Sequence, residues 1–310
     1  MGLLRSAFLA GSQSRWLRER AVKLRFVRRA VSRFMPGEEV ESALDAARAL
    51  QGAGIGAVLT YLGENLRSPQ EAEQVARHYL DVLARAQRAG LDVEISVKLT
   101  QLGLDLDRAA CETRLLSLVE RAGAAGTSVW IDMESSAYTD ATLDIYRGAR
   151  SRRPNVGVCV QAYLRRTERD VQSLIPLGAG VRLVKGAYRE PADKAFPRKR
   201  DVDANYFALA KRLLGPGARR TGVRAIFGTH DASLIRRIEA TAGEAGLRPR
   251  EVEFQMLYGI QREEQARLAA AGHPVRVLIS YGDAWFPWYM RRLAERPANV
   301  LFVLKNVFAG

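Results

Sequence analysis

The chain is poor in the residues that usually announce a function. Cys111 and Cys159 are the only cysteines in 310 residues, so no disulfide framework holds the protein together. Two cysteines and three histidines also cannot make a structural zinc site without borrowed carboxylates. The histidines, His78, His230 and His273, are scattered, with no His-x-His or His-Glu-x-x-His spacing for a hydrolytic metal. No Gly-x-Ser-x-Gly elbow occurs, which leaves a serine nucleophile unsupported. Apolar runs stay short of the roughly 20 residues that a spanning helix needs. Linkers rich in Pro, Gly or Ser and internal repeats are lacking too. Acidic residues are in deficit, 34 against 48 basic ones, for a net charge of +14.

The remaining composition is that of a globular chain, 47% hydrophobic and 26% charged. Its charge is concentrated at one end. Residues 1–37 carry Arg5, Arg15, Arg18, Arg20, Lys23, Arg25, Arg28, Arg29 and Arg33 against the single acid Glu19, which is +8 of the +14. Leu17, Ala21, Leu24, Val27, Val31 and Phe34 recur at helical spacing, and Pro36-Gly37 ends the pattern. A basic amphipathic arm of this kind can pack on its own protein, dock on anionic lipid or bind nucleic acid. As a signal peptide it fails, because Arg5 and Arg15 flank too short an apolar stretch.

From residue 38 onward the chain has a rhythm. Apolar, β-branched runs fall at 54–62, 93–100, 128–133, 156–164, 180–187, 223–228, 251–257 and 275–281, separated by polar stretches of helical period such as 69–89 and 201–214. Short strands each followed by a helix imply parallel strands with crossover helices. Eight such units predict an α/β fold, a (β/α)₈ TIM-type barrel over 38–310, preceded by the helical arm of 1–37. A doubly wound sheet seldom needs eight regular units. The Gly52-Ala53-Gly54-Ile55-Gly56 stretch precedes its strand, so it reads as a helix end and not as a dinucleotide loop.

A barrel of this class keeps its chemistry at the C-terminal ends of the strands. Six of the eight ends here carry charged or amide side chains, among them Lys98, Asp132, Gln161, Arg182 with Lys185, Thr229-His230-Asp231 and Gln255. Charges at such positions cost several kcal/mol unless paired, so their convergence predicts a site and not packing. Cations dominate, and Arg291-Arg292 follow a helix start rich in aromatics, Trp285, Phe286, Trp288 and Tyr289. An arginine fork under an aromatic lid suits a small anion with an apolar body.

Six segments in order resemble the proline dehydrogenase family in its short bacterial form, over about residues 38–305. They are Val97-Lys98-Leu99-Thr100-Gln101-Leu102-Gly103, Ile131-Asp132-Met133-Glu134, Val160-Gln161-Ala162-Tyr163-Leu164, Arg182-Leu183-Val184-Lys185-Gly186-Ala187-Tyr188, Glu253-Phe254-Gln255-Met256-Leu257-Tyr258-Gly259 and Tyr289-Met290-Arg291-Arg292-Leu293. The resemblance implies a distorted barrel with a final helix over its mouth and FAD as cofactor. It also implies oxidation of L-proline to 1-pyrroline-5-carboxylate and electrons passed to a quinone.

Carried over residue by residue, Lys98, Arg291 and Arg292 surround the proline carboxylate, and Asp132 holds these cations. Arg182 lies beside the reactive flavin nitrogen. Gln161, Met133, Lys185, Gly186, Ala187, Thr229, His230 and Glu295 line the cofactor. Tyr188 and Leu257 wall the substrate, and Glu64 is a gate that latches an arginine. One segment departs from the pattern: the family's Tyr-Val-Pro-Tyr-Gly is Leu278-Ile279-Ser280-Tyr281-Gly282 here. Leu278 keeps bulk beside the substrate ring but removes a hydroxyl, which bears on discrimination between proline and hydroxyproline. Two rivals are weaker: a Schiff-base aldolase using Lys98 or Lys185 explains neither the double arginine nor the aromatic helix, and the polar strand ends argue against a basic nucleic-acid binder, so no nucleic-acid partner is expected.

Overall fold

The computed structural model describes residues 31–63, 66–188 and 190–286. Eight parallel strands close into a barrel in chain order. They are β1 (Gly56–Tyr61), β2 (Val93–Val97), β3 (Val129–Ile131), β4 (Val156–Gln161), β5 (Gly180–Val184), β6 (Arg224–Gly228), β7 (Glu253–Leu257) and β8 (Val275–Tyr281). The closing pair β1–β8 is in register from Gly56↔Arg276 to Tyr61↔Tyr281.

Helix α1 (Val40–Gly52) precedes β1, and Gly54 at φ +72° turns the chain into the strand, as the glycine cluster predicts. The crossover helices are α2 (Pro69–Arg88), α3 (Arg108–Ala124), α4 (Thr139–Arg150), α5 (Thr167–Leu174), α6 (Lys199–Leu214) with the short α7 (Pro216–Arg220), α8 (Ala232–Glu244) and α9 (Arg262–Ala270). Their starts follow local chemistry. Ser68 caps α2 by accepting from the Glu71 N–H with Pro69 in the first turn, and Asp107 caps α3 through the Ala110 N–H.

Alternation along the strands sorts the interior into two cores. Outward residues such as Val93, Ile95, Val97, Val129 and Ile131 join the helices in one continuous apolar shell. Inward residues fill the lumen, where Val58, Trp130 and Ile226 pack with Leu278. Trp130 fits there because its neighbours are bare: a Cβ at Gly157 would lie 2.2 Å from the indole and one at Gly180 would lie 3.2 Å from it.

The apolar runs overestimate several strands at their C-terminal ends, where the chain turns into buried loops. β2 stops at Val97 because Thr100–Leu102 forms a 3₁₀ turn closed by Gly103 at φ +93°. β3 ends at Ile131, although the Asp132 N–H still reaches the Val97 carbonyl at 2.8 Å. β5 ends at Val184, and Gly186 at φ +106° bends the chain after it. The residues past these ends are the ones that converge at the mouth.

The tail of the N-terminal arm packs on this body. Val31, Phe34 and Met35 are buried, and the Arg33 carbonyl lies so close to Gly259 that a Cβ there would sit 1.6 Å from it. Trp285, buried at the start of the final segment, donates its indole N–H to Glu38 at 2.9 Å.

Candidate active site

Arg182, on the inward face of β5, is the centre of the mouth. Its side chain is buried, and its guanidinium donates to Asp132 Oδ1, to Ser96 Oγ at 2.8 Å and to Gln255 Oε1 at 3.1 Å. Burial opposes the charge most strongly, but Asp132, with Cys159 and Glu94 acting in the same direction, outweighs it and holds Arg182 above its ordinary pKa. Asp132 also accepts from Ser96 Oγ at 2.8 Å, and its Oδ2 lies 3.9 Å from Lys98 Nζ. Three of the residues expected to act together, Lys98, Asp132 and Arg182, are thus assembled from three different strands.

Gln161 ends β4 buried. Its amide donates to the Met133 carbonyl at 3.1 Å, while its own oxygen is buried without a partner. An orphaned buried acceptor costs about 1–3 kcal/mol, a cost that a ligand N–H removes. Gly186 stands beside Tyr163, where a Cβ would come 2.2 Å from the phenol ring, so the backbone here must stay bare. Lys185 bridges two carboxylates, Asp203 at 2.5 Å and Asp231 at 2.8 Å. Against the effect of burial, Lys185 holds both carboxyls below the usual range, with Lys199 acting on them as well.

Asp231 caps α8 through the Ser233 and Leu234 N–H groups, while its own N–H reaches Thr229 Oγ1 at 3.1 Å. His230 Nε2 accepts from the Leu257 N–H at 2.8 Å, which places the proton of a neutral ring on Nδ1. That bond ties the end of β6 to the end of β7.

Leu257 and Leu278 are register partners on β7 and β8. Tyr188 packs instead with Tyr163, Leu164 and Ala195, beyond the ends of β4 and β5. Met133 is buried, and Glu134 beside it accepts from the Thr100 N–H and hydroxyl at 3.2 and 2.7 Å. Burial pushes the Glu134 carboxyl up. Glu64, Arg291, Arg292 and Glu295 lie outside the described residues. Gln101 nevertheless holds the approach to Glu64, donating to the Tyr61 and Gly63 carbonyls at 2.9 and 2.6 Å.

Gln255, expected at a polar strand end, joins this constellation, and so do Ser96 and Trp130, which the motifs do not single out. The signal was present: Glu94-Ile-Ser96-Val-Lys98 and Trp130-Ile-Asp132 alternate, so each lies on the inward face with a chosen residue. The aldolase reading is not supported by this geometry. Imine chemistry needs a desolvated, neutral lysine, and Lys185 is ion-paired twice.

A closed (β/α)₈ barrel with a braced cluster of cations and carboxylates at the strand C-termini is the architecture of a barrel enzyme with its active face at that end. Comparison with known proteins narrows this. The family model described as proline dehydrogenase matches residues 43–305. Proline dehydrogenase 1 of Bacillus subtilis subsp. natto is 38% identical over 305 residues, spanning 98% of this chain and 99% of that protein. The proline dehydrogenase of Deinococcus radiodurans is 37% identical over 287 residues, 90% of each chain.

Among solved structures, proline utilization A from Bdellovibrio bacteriovorus, inactivated by N-propargylglycine, superposes with a TM-score of 0.79 at 23% identity. The match covers 86% of this chain but 32% of that one, so the chain corresponds to about a third of that protein. That likeness supports the fold alone. The chain belongs to the proline dehydrogenase family.

Proposed function

We propose that this enzyme oxidises L-proline to 1-pyrroline-5-carboxylate with FAD as its bound cofactor. It does so by transfer of a hydride equivalent from proline C5, and a quinone receives the electrons. Oxidation of proline, the opening step of proline catabolism, is the activity of its family. The observation that supports the detailed reading is the buried Arg182 held by Asp132, Ser96 and Gln255 next to Lys98.

The cofactor would be held by groups on β4, β5 and β6. Gln161 offers an unpartnered buried acceptor to a ring N–H, and Gly186 leaves the backbone free of a Cβ. Lys185, Ala187, Thr229, His230 and Met133 border the same region, with Glu295 from the final segment. FAD, when bound, supplies the acceptor for the hydride equivalent. The chain's own work is positional and electrostatic. Arg182 places a fixed positive charge where negative charge grows, and its bonds to Asp132, Ser96 and Gln255 leave little reorganisation for the reaction itself.

Proline binds as a zwitterion. Its carboxylate is taken by Lys98 with Arg291 and Arg292, and its ring lies against the adjacent Leu257 and Leu278, with Tyr188 at the rim. Glu64 would close the mouth by latching an arginine. The ammonium proton passes to water, since Asp132 lies between two cations, Glu134 is held by Thr100, and His230 Nε2 is engaged by the Leu257 N–H.

Visible spectroscopy tests the reading. The purified protein should show oxidised flavin bands that bleach on anaerobic addition of L-proline, and FAD should be released on denaturation. A colourless protein, or bands indifferent to proline, would refute it. For delivery to a membrane quinone, the arm of 1–37, with +8 of the net charge, is the contact with anionic lipid. No helix among the described residues is long and apolar enough to cross a membrane. Deletion of residues 1–37 should abolish binding to anionic liposomes, and undiminished binding would exclude this role.

A further inference from the structure

Between the mouth and the base of the barrel lies Trp130, packed with Val58, Ile226 and Leu278. It points inward from β3 with Asp132 and fills the lumen because Gly157 and Gly180 present no side chains. Two guanidiniums lie over its ring, Arg182 at 5.5 Å and Arg224, at the start of β6, at 5.3 Å. Its indole N–H donates to Glu94 Oε2 at 2.7 Å, and Glu94 accepts from Arg224 at 2.6 Å.

A second path runs beside the first. Gln255 accepts from Arg182, donates to Glu253 at 3.4 Å, and Glu253 accepts Arg224 in two bonds of 2.9 Å. Both paths from Arg182 therefore end on Arg224, and the indole occupies the space into which an unsupported guanidinium would fall.

We infer that Trp130 is a positioning residue for Arg182: the indole, anchored through Glu94 and Arg224, sets the height of the Arg182 guanidinium in the barrel mouth. A long flexible side chain cannot by itself hold a charge within the fraction of an ångström that electrostatic stabilisation requires. Asp132, Ser96 and Gln255 fix its outer edge, and the aromatic face fixes it from below. The inference rests on the reading of Arg182 as the cation beside the reactive part of the flavin.

The test uses the flavin-loaded enzyme and three readouts: the anaerobic bleaching rate at saturating proline, the proline concentration for half-saturation, and the flavin midpoint potential. Trp130→Leu should slow bleaching by about tenfold, since the charge is displaced and not removed. The potential should move negative, and half-saturation should stay within about twofold because the carboxylate is held elsewhere. Gly157→Ala, which pushes the indole without altering it, should show the same pattern and carries the test if the leucine variant fails to fold.

In an Arg182→Lys background the Trp130 substitution should add less than about twofold. The inference is overturned if the two substitutions multiply, or if Trp130→Leu lowers only flavin content and stability while rate and potential stay normal. A normal bleaching rate in Arg182→Lys alone would instead overturn the reading of Arg182, and the inference with it.

Discussion

Replacing Asp132 with alanine should cost the protein more stability than removing Asp132 and Arg182 together. Arg182 has 5% of its side chain exposed and Asp132 20%. In the alanine variant the guanidinium keeps only neutral partners at its outer edge, Ser96 and Gln255. Breaking a buried pair from one side costs about 3–5 kcal/mol, and the partial exposure of Asp132 admits water and places the loss near 3 kcal/mol. Asparagine keeps an acceptor for Ser96 and Arg182 but no charge, so its loss should be about half as large.

The double variant Asp132→Ala/Arg182→Met removes both charges and fills the space with an apolar chain, and should recover most of the deficit. Urea unfolding of the flavin-loaded proteins, followed by far-ultraviolet circular dichroism, measures all four free energies. None of the variants should turn proline over at the normal rate. The reasoning fails if Asp132→Ala unfolds at the wild-type midpoint, or if the double variant is less stable than the single one.

Gly186→Ala should weaken flavin retention by about tenfold or more, since its Cβ would meet Tyr163 at 2.2 Å and the residue sits at φ +106°. Gly148→Ala, with nothing within 4 Å on helix α4, is the control and should stabilise slightly. Burial holds His78, bonded to Tyr281 at 2.8 Å, below the ordinary histidine pKa of 6.5. The unfolded chain therefore takes up this proton first, and the His78 contribution, complete above pH 6.5, is lost as pH falls toward the folded value. His78→Gln should flatten stability against pH in that window, and an unchanged slope would refute the assignment. Leu278→Tyr should lower the kcat/KM ratio of 4-hydroxyproline to proline by about tenfold, which competition assays would read directly.

Most of the barrel was legible in the chain. Every β-branched run became a strand, and the expected helix 69–89 is observed as Pro69–Arg88. Fully buried parallel strands read as continuous apolar runs, and caps such as Ser68-Pro69 mark where helices begin. Errors fall at the C-terminal strand ends. Apolar character continues there after pairing stops, because Leu99, Met133 and their neighbours are buried in the loops that build the mouth.

Legibility of the site was uneven for a similar reason. Motif spacing picked out Lys98, Asp132, Gln161 and Arg182, each charged or amide at the end of an apolar run. Gln255 was legible as a polar strand end, whereas Ser96 and Trp130 were not, since a serine or a tryptophan within a strand carries no signal of its own. Lys185 was placed at the cofactor, but its ion pairs with Asp203 and Asp231 depend on α6 and α8 lying beside β5 and could not be read locally.

By itself, then, the sequence determined the eightfold alternation, the polar strand ends, the basic arm and the family. These depend on periodicity and on residue types at fixed spacing, both local properties of the chain. Only the tertiary structure decided which of these charges are paired. Barrel closure brings Ser96, Trp130, Asp132, Arg182 and Gln255 from four strands into one lumen, and at that distance, shielded from water, each group's charge and position depend on the others.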